Sequence, residues 1–318
     1  MEFGLYLRDI CSDISRPLNK QISEAAEIVR NASNLRFSSI SAPHHWISYP
    51  TVWPQPIPLL SRLAPEAGTM KLMINIIQLP LWNPIHLSEE ISTLDHISNG
   101  NLICGFGLGY REAELKAVGA TRQERAERME ESTLIMKQLW SGEEVNFDGR
   151  FWQVSGARMA MPPLQKPHPP IWFAAQSPGA VKRASSMANG CILGPQVGWQ
   201  DLKELSQLHH QLESTNGEKK ALSARRSISV AVDRKTAIDQ ARKKAENHFK
   251  NYKRWGMQES SMVELRLSFE KDMDDWAIVG SPDECINVLN HASSELKMDS
   301  MTLGFLNMPS EQSQKLEY

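Results

Sequence analysis

The sequence predicts an α/β protein folded as a single (β/α)8 TIM barrel over residues 1–318, with insertions after the fourth and seventh strands. Three observations carry this. Strand-like apolar segments alternate with helical ones along nearly the whole chain, eight such strands are present, and no internal repeat or low-complexity linker divides the order. A chain of 318 residues suits one large barrel or two ordinary domains, so the alternation decides between them.

Taken in order, Phe3–Leu7 forms the first strand, and Ile22, Ala25, Ala26 and Val29 mark the buried face of the first helix. Phe37–Ser41 is the second strand and runs into Pro43-His44-His45-Trp46. Leu72–Leu79 is the third and Leu102–Phe106 the fourth. Met129, Thr133, Met136 and Trp140 recur at helical spacing and predict a helix over Glu124–Trp140. Val145–Val154 is a hairpin turning at Asp148-Gly149, and a Pro-rich stretch leads to the fifth strand, Ile171–Ala175. Cys191–Gly194, Ile228–Val232 and Met301–Leu306 complete the set. Roughly 65 residues separate the seventh and eighth strands, more than one crossover helix needs, so Met257–Asp274 is expected to cover the barrel mouth as a lid. Ser281-Pro282-Asp283-Glu284 opens a helix in that span with a capping box. After the eighth strand only Ser310–Tyr318 remains, so the final barrel helix is short, or the chain is cut there.

A formal net charge of -2 offers no electrostatic reason to bind nucleic acid or an anionic membrane. Met1–Asp9 has no long apolar core and is not a secretory signal. The most apolar run, Leu72–Trp82, is broken by Asn75 and Gln78 and is too short to span a bilayer. Cys11, Cys104, Cys191 and Cys285 are scattered without a CxxC pair, which reads as reduced, buried thiols in a cytoplasmic protein with no metal site.

A barrel works at the carboxyl ends of its strands. Those ends hold Tyr6–Arg8, His44-His45-Trp46, Gln78–Trp82, Gly107–Arg111, Gln176–Gly179, Gly194-Pro195-Gln196 and Phe305–Asn307. The ring lacks the paired carboxylates of a glycosidase and the clustered ligands of a metallohydrolase. Its glycines, aromatics and uncharged polar groups suit a large flat ligand. Ser177, followed by Pro178, Gly179 and Ala180, opens the helix Val181–Ala188; it serves as a plain N-cap or as the start of an anion site. His44 and His45 are the imidazoles at a strand end, able to accept or give a proton. His209-His210 lies in a polar helix and reads as solvated. Trp46, Trp53, Trp82, Trp172 and Trp199 lie on or near the mouth, some as rim packing and others as walls of an apolar pocket.

One block is more specific. Leu94-Asp95-His96-Ile97-Ser98-Asn99-Gly100 is followed by an apolar strand and then by Gly107-Leu108-Gly109-Tyr110-Arg111 and Glu114. This string resembles the bacterial luciferase-like family of flavin- or deazaflavin-dependent oxidoreductases, in its form LD-x-(I/L)-S-x-G-R, strand, G-x-G-Y-R-x-x-E. Asn101 replaces the Arg of that pattern. The resemblance implies an FMNH2-dependent monooxygenase that inserts one oxygen atom from O2 into a small, largely apolar organic substrate. A separate flavin reductase would supply the cofactor, and the chain would act as a homodimer. F420-dependent hydride transfer and a non-catalytic flavin-binding subunit are the alternatives. It also implies a cis peptide at Asn75-Ile76 against one face of the flavin ring, a reactive role for His44 or His45, and phosphate binding by Ser177. Ala180 and Leu108 stand where the luciferase branch has a threonine and a phosphate-binding arginine, which leaves the phosphate to Ser177, backbone amides and Arg111. Tyr6, Gly107 and Gly109 complete the expected cofactor contacts.

Overall fold

The computed structural model describes residues 1–8, 10–195, 197–242 and 273–307. The first four strands are β1 (Glu2–Tyr6), β2 (Ser39–Ala42), β3 (Lys71–Gln78) and β4 (Leu102–Gly107). A two-stranded hairpin of β5 (Val145–Asp148) and β6 (Gln153–Ala157) follows. The remaining strands are β7 (Ile171–Ala175), β8 (Gly190–Leu193), β9 (Ala221–Val230), β10 (Ala277–Gly280) and β11 (Ser300–Phe305). Pairing runs β1–β2–β3–β4–β7–β8–β9–β11 and returns to β1, all parallel, so the sheet closes into the expected barrel. The insertions after barrel strands four and seven are also present.

The helices follow from the apolar spacing. Helix α1 (Leu18–Asn34) buries Ala25, Ala26 and Val29, with Ile22 partly covered. Helix α2 is Pro56–Ala67 and α3 is Pro84–Ile97. Helix α4 is the short Glu112–Ala117, and α5 (Arg125–Trp140) buries Met129, Thr133, Met136 and Trp140. Helices α6 (Pro178–Met187) and α7 (Trp199–Asn216) flank β8. In α8 (Pro282–Leu296) the Ser281 hydroxyl accepts from the Glu284 N–H while the Glu284 carboxylate accepts from the Ser281 N–H, completing the capping box.

Three sequence expectations change. The seventh barrel strand begins at Ala221, not Ile228, because Ser223 and Arg225 are buried in polar alternation with Leu222 and Ala224 and disguise the apolar run. The strand β10 was not anticipated. It pairs with the carboxyl half of β9, Ala277 opposite Ser227, along the edge whose amino half carries β8. The hairpin turn is longer than an Asp-Gly pair: Gly149 to Trp152 form the loop, and the Glu131 carboxylate accepts from the Arg150 and Phe151 N–H groups. The lid expected at Met257–Asp274 lies outside the described residues up to 272, as does the terminal segment Ser310–Tyr318.

The Leu94–Gly100 block is structural. Asp95 is fully buried at the amino end of the barrel, where both oxygens accept from Gln165, at 2.7 and 2.9 Å. Asn99 and Gly100 take left-handed conformations (φ 53 and 74) that turn the chain from α3 into β4. Asn101 bonds the Ser98 carbonyl and accepts from Lys71, a local role that needs no arginine. All four cysteines are buried and free, and burial pushes the Cys191 thiol up to about 12. His209 is buried rather than solvated, with Nε2 at 3.1 Å from the Lys220 carbonyl. No helix of the described residues is long and apolar enough to cross a membrane.

Candidate active site

The carboxyl ends of the strands surround a cavity of about 960 Å³. Tyr6, His44 and His45 line it from β1 and the loop after β2, and Asn75 and Ile76 from β3. Gly107 and Gly109 line it after β4, and Ser177, Pro178 and Ala180 at the start of α6. Arg111 and Gly179 do not face it. A Cβ on Gly179 would meet nothing within 4 Å.

The Asn75-Ile76 peptide is cis, and the β3–β4 register shifts between Ile74 and Ile77, so the backbone bulges at this point. The glycines opposite are obligatory for packing. A Cβ on Gly105 would lie 2.1 Å from the Ile74 carbonyl oxygen, and one on Gly107 would lie 2.7 Å from Ile76 Cδ1. Gly109 has φ +72 and packs on Gln78, so a side chain there would be strained as well as crowded.

Arg111 and Glu114 explain the remainder of the G-x-G-Y-R-x-x-E string. Arg111 precedes α4 and is buried. Its Nη1 donates to the Trp46 carbonyl at 2.5 Å and to Glu114 Oε1 at 3.1 Å, and its Nη2 donates to the Ile47 carbonyl at 3.0 Å. Glu114 is fully buried one turn later, and its Oε1 also accepts from the Trp46 N–H at 2.8 Å and lies 2.9 Å from His45 Nδ1. Burial pushes the Glu114 carboxyl up, but the hydrogen bond and charge of His45, the Arg111 guanidinium and the Trp46 N–H together hold it below its ordinary value. Together these residues clamp the loop that carries the His pair. The guanidinium expected at a phosphate is spent on this loop.

The two histidines differ. A carboxylate only accepts, so His45 Nδ1 carries a proton toward Glu114, while Gln78 Nε2 donates to the His44 carbonyl at 3.0 Å. Rings of Trp53 and Tyr110 meet His45 edge-on at 4.5 and 5.7 Å. His44 Nδ1 instead accepts from the Gln78 backbone N–H at 3.5 Å, which places the proton on Nε2. That Nε2 is buried and has no hydrogen-bond partner among the described residues. His44 therefore lines the cavity as a neutral ring with an unmatched, buried N–H. Trp46 and Trp82 pack around it at 5.4 and 5.5 Å, behind the wall, whereas Trp53 lines the cavity itself. Trp172 and Trp199 are not among the lining residues.

Burial, with His45 beside it, lowers the His44 pKa from 6.5 to about 3, against an opposing pull from Glu114. The native ring stays neutral while the unfolded one takes up a proton. Stability is thus fully present above about pH 6.5 and falls with pH toward 3, by about 2 kcal/mol at pH 5. Urea titrations from pH 7 to 4 are expected to show this loss, and His44→Asn is expected to flatten it. An unchanged slope in the variant would assign the acid sensitivity to other groups.

Two cations that sequence reasoning passed over also line the cavity. Arg122 and Arg125 precede and begin α5; Arg125 donates through Nη1 to the Gly109 carbonyl and through Nε to the Arg122 carbonyl. Burial, followed by repulsion from Arg122, lowers the Arg125 pKa. Ser177 caps α6, its hydroxyl accepting from the Ala180 N–H at 3.4 Å, and stays exposed at the cavity edge. An arginine pair and a helix amino terminus at one cavity suit a phosphate.

A family model described as luciferase-like monooxygenase matches residues 1–297. The chain belongs to that family. The oxygenase component of the flavin-dependent trigonelline monooxygenase of Acinetobacter baylyi is 33% identical over 150 residues, covering 46% of this chain and 41% of the relative. Among solved structures, monooxygenase RslO1 from Streptomyces bottropensis is similar over 97% of this chain and 94% of its own, at 22% identity and a TM-score of 0.81. An F420-dependent secondary alcohol dehydrogenase is similar over 96% of this chain and 93% of its own, at 14% identity and a TM-score of 0.79. The fold therefore accommodates both cofactor chemistries.

Proposed function

We propose that this chain is the oxygenase component of a two-component, FMNH2-dependent monooxygenase. It would act on a small organic substrate, with a separate flavin reductase as supplier and a homodimer as the working form. The observation that carries this is the buried His44 Nε2–H without a partner, lining the same cavity as the Asn75-Ile76 bulge and the glycines of β4. A donor so placed is matched by a ligand acceptor, since an unmatched buried N–H costs about 1–3 kcal/mol. The absence of side chains at Gly107 and Gly109 in the cavity lining suits a flat ring, and Arg122, Arg125 and the α6 amino terminus fit its phosphate. The flavin-dependent relative supports FMN over F420.

When bound, reduced FMN supplies the electrons and the means of activating O2. The chain does the rest. His44 donates a fixed hydrogen bond, His45 moves a proton with its tautomer set by Glu114, and Trp53 and Tyr110 shield the site from water.

Stopped-flow mixing of the FMNH2-loaded chain with oxygenated buffer tests the reading. The protein is expected to delay the return of oxidised-flavin absorbance relative to free FMNH2. Return at the free rate, together with tight F420 binding, would transfer the assignment to hydride transfer. Ser177→Asp is expected to raise the FMNH2 dissociation constant at least tenfold, about 1.4 kcal/mol, by placing a carboxylate beside the phosphate. Unchanged affinity in fluorescence titrations would locate the phosphate elsewhere.

A further inference from the structure

We infer that Asn75, Gln78 and His44 form a donor–acceptor–donor wall that reads the carbonyl–NH–carbonyl edge of the cofactor ring. The inference rests on the flavin reading above and deepens it by naming the part of the ring that the chain recognises.

All three residues line the cavity; Asn75 is 7% exposed, and Gln78 and His44 are 2% exposed. Each holds a buried polar atom without a hydrogen-bond partner among the described residues: Asn75 Nδ2, Gln78 Oε1 and His44 Nε2. Buried donors and acceptors cost free energy until something meets them, so these atoms together describe the edge of a ligand.

The polarity of each atom follows from its neighbours. Gln78 Nε2 donates to the His44 carbonyl, which orients the amide and leaves Oε1 as the acceptor. The Gln78 backbone N–H donates to His44 Nδ1, so the His44 proton sits on Nε2. Asn75 Nδ2 is a donor by its chemistry. Gln78 is thus bonded to His44 and shares β3 with Asn75, three residues back at the bulge. Gly109 stands against the acceptor: a Cβ there would lie 2.9 Å from Gln78 Oε1, so no side chain covers it from that strand end.

This pattern selects among ligands. A hydroxyl or an amine would meet Gln78 and leave the donors unmatched. A carboxylate would meet the donors but set its own oxygens against Oε1. One N–H between two carbonyls, held in a plane, satisfies all three atoms. The pyrimidinedione end of a flavin carries that edge, and so does the same end of a deazaflavin. The two cofactors differ in the central ring, so the wall would hold either.

Anaerobic titration of the chain with FMNH2 and with its N3-methyl analogue, followed by quenching of tryptophan fluorescence, tests this. The methyl group removes the N–H and keeps both carbonyls. The analogue is expected to bind about tenfold or more weakly, the cost of leaving the buried acceptor unmet. In Gln78→Met the two ligands should bind within about twofold of each other, because the group that senses the N–H is gone. Gln78→Leu carries the same expectation should the Met variant fail to fold. Asn75→Leu should weaken both ligands alike. Equal binding of the two ligands by the native chain, a methyl penalty that survives both Gln78 substitutions, or unchanged affinity in Asn75→Leu would overturn the assignment. Binding of F420 without binding of FMNH2 would overturn the flavin reading instead; the same penalty on N3-methylated F420 would then sustain the wall, and its absence would overturn both. A chain that binds neither cofactor would also overturn both.

Discussion

Replacing His45 with Ala is expected to lower substrate oxidation by about 10²–10⁴-fold while FMNH2 still binds, with reducing equivalents lost as hydrogen peroxide. The expectation comes from how the ring is held. A carboxylate on Nδ1 at 2.9 Å fixes its orientation, and edge contacts with Trp53 and Tyr110 prevent it from turning. A preoriented imidazole at the cavity wall contributes to rate; it contributes little to the affinity of a ligand whose phosphate is held across the rim. The coupled assay therefore reads product and hydrogen peroxide together. Full coupling in His45→Ala would leave the ring as a wall and move proton transfer to another group.

The barrel itself was legible because its strands and helices obey their own periods. The turn glycines announced themselves in the same way: Gly107 and Gly109 stand where a strand ends at the cavity. What escaped reading depended on distance along the chain or on polar disguise. Arg111 looked like a phosphate ligand because it follows Gly109, but its acceptors, the Trp46 and Ile47 carbonyls, lie 65 and 64 residues away. Arg225, which also lines the cavity, was missed because it sits inside a strand rather than after one, among serines that concealed the strand's start. Arg122 and Arg125 join the site only because the segment ahead of α5 folds back over β4, as the Arg125 bond to the Gly109 carbonyl records. His44 and His45 were equivalent in sequence; hydrogen bonding alone separates the fixed donor from the ring backed by a carboxylate.

The second large effect is expected at Glu114. This carboxylate joins His45, Trp46 and Arg111 inside a fully buried setting, so Glu114→Ala takes one member out of a buried, charged network. Removing one member of a buried ion pair costs about 3–5 kcal/mol, and urea unfolding at pH 7 is expected to show a loss of that size. Glu114→Gln keeps the volume and an acceptor for the Trp46 N–H and should cost less. It nevertheless stops fixing the His45 tautomer, so turnover should fall with the His45→Ala variant even where the fold survives. The pH profile separates charge from packing. Because the carboxyl is held below its ordinary 4.5, its stabilisation is present above that pH and is lost as pH falls beneath it. Glu114→Gln should flatten this limb and leave in place the His44 loss, which already sets in below pH 6.5. A stability loss below about 1 kcal/mol in Glu114→Ala, the ordinary worth of a single neutral hydrogen bond, would mean that the loop stands without its clamp.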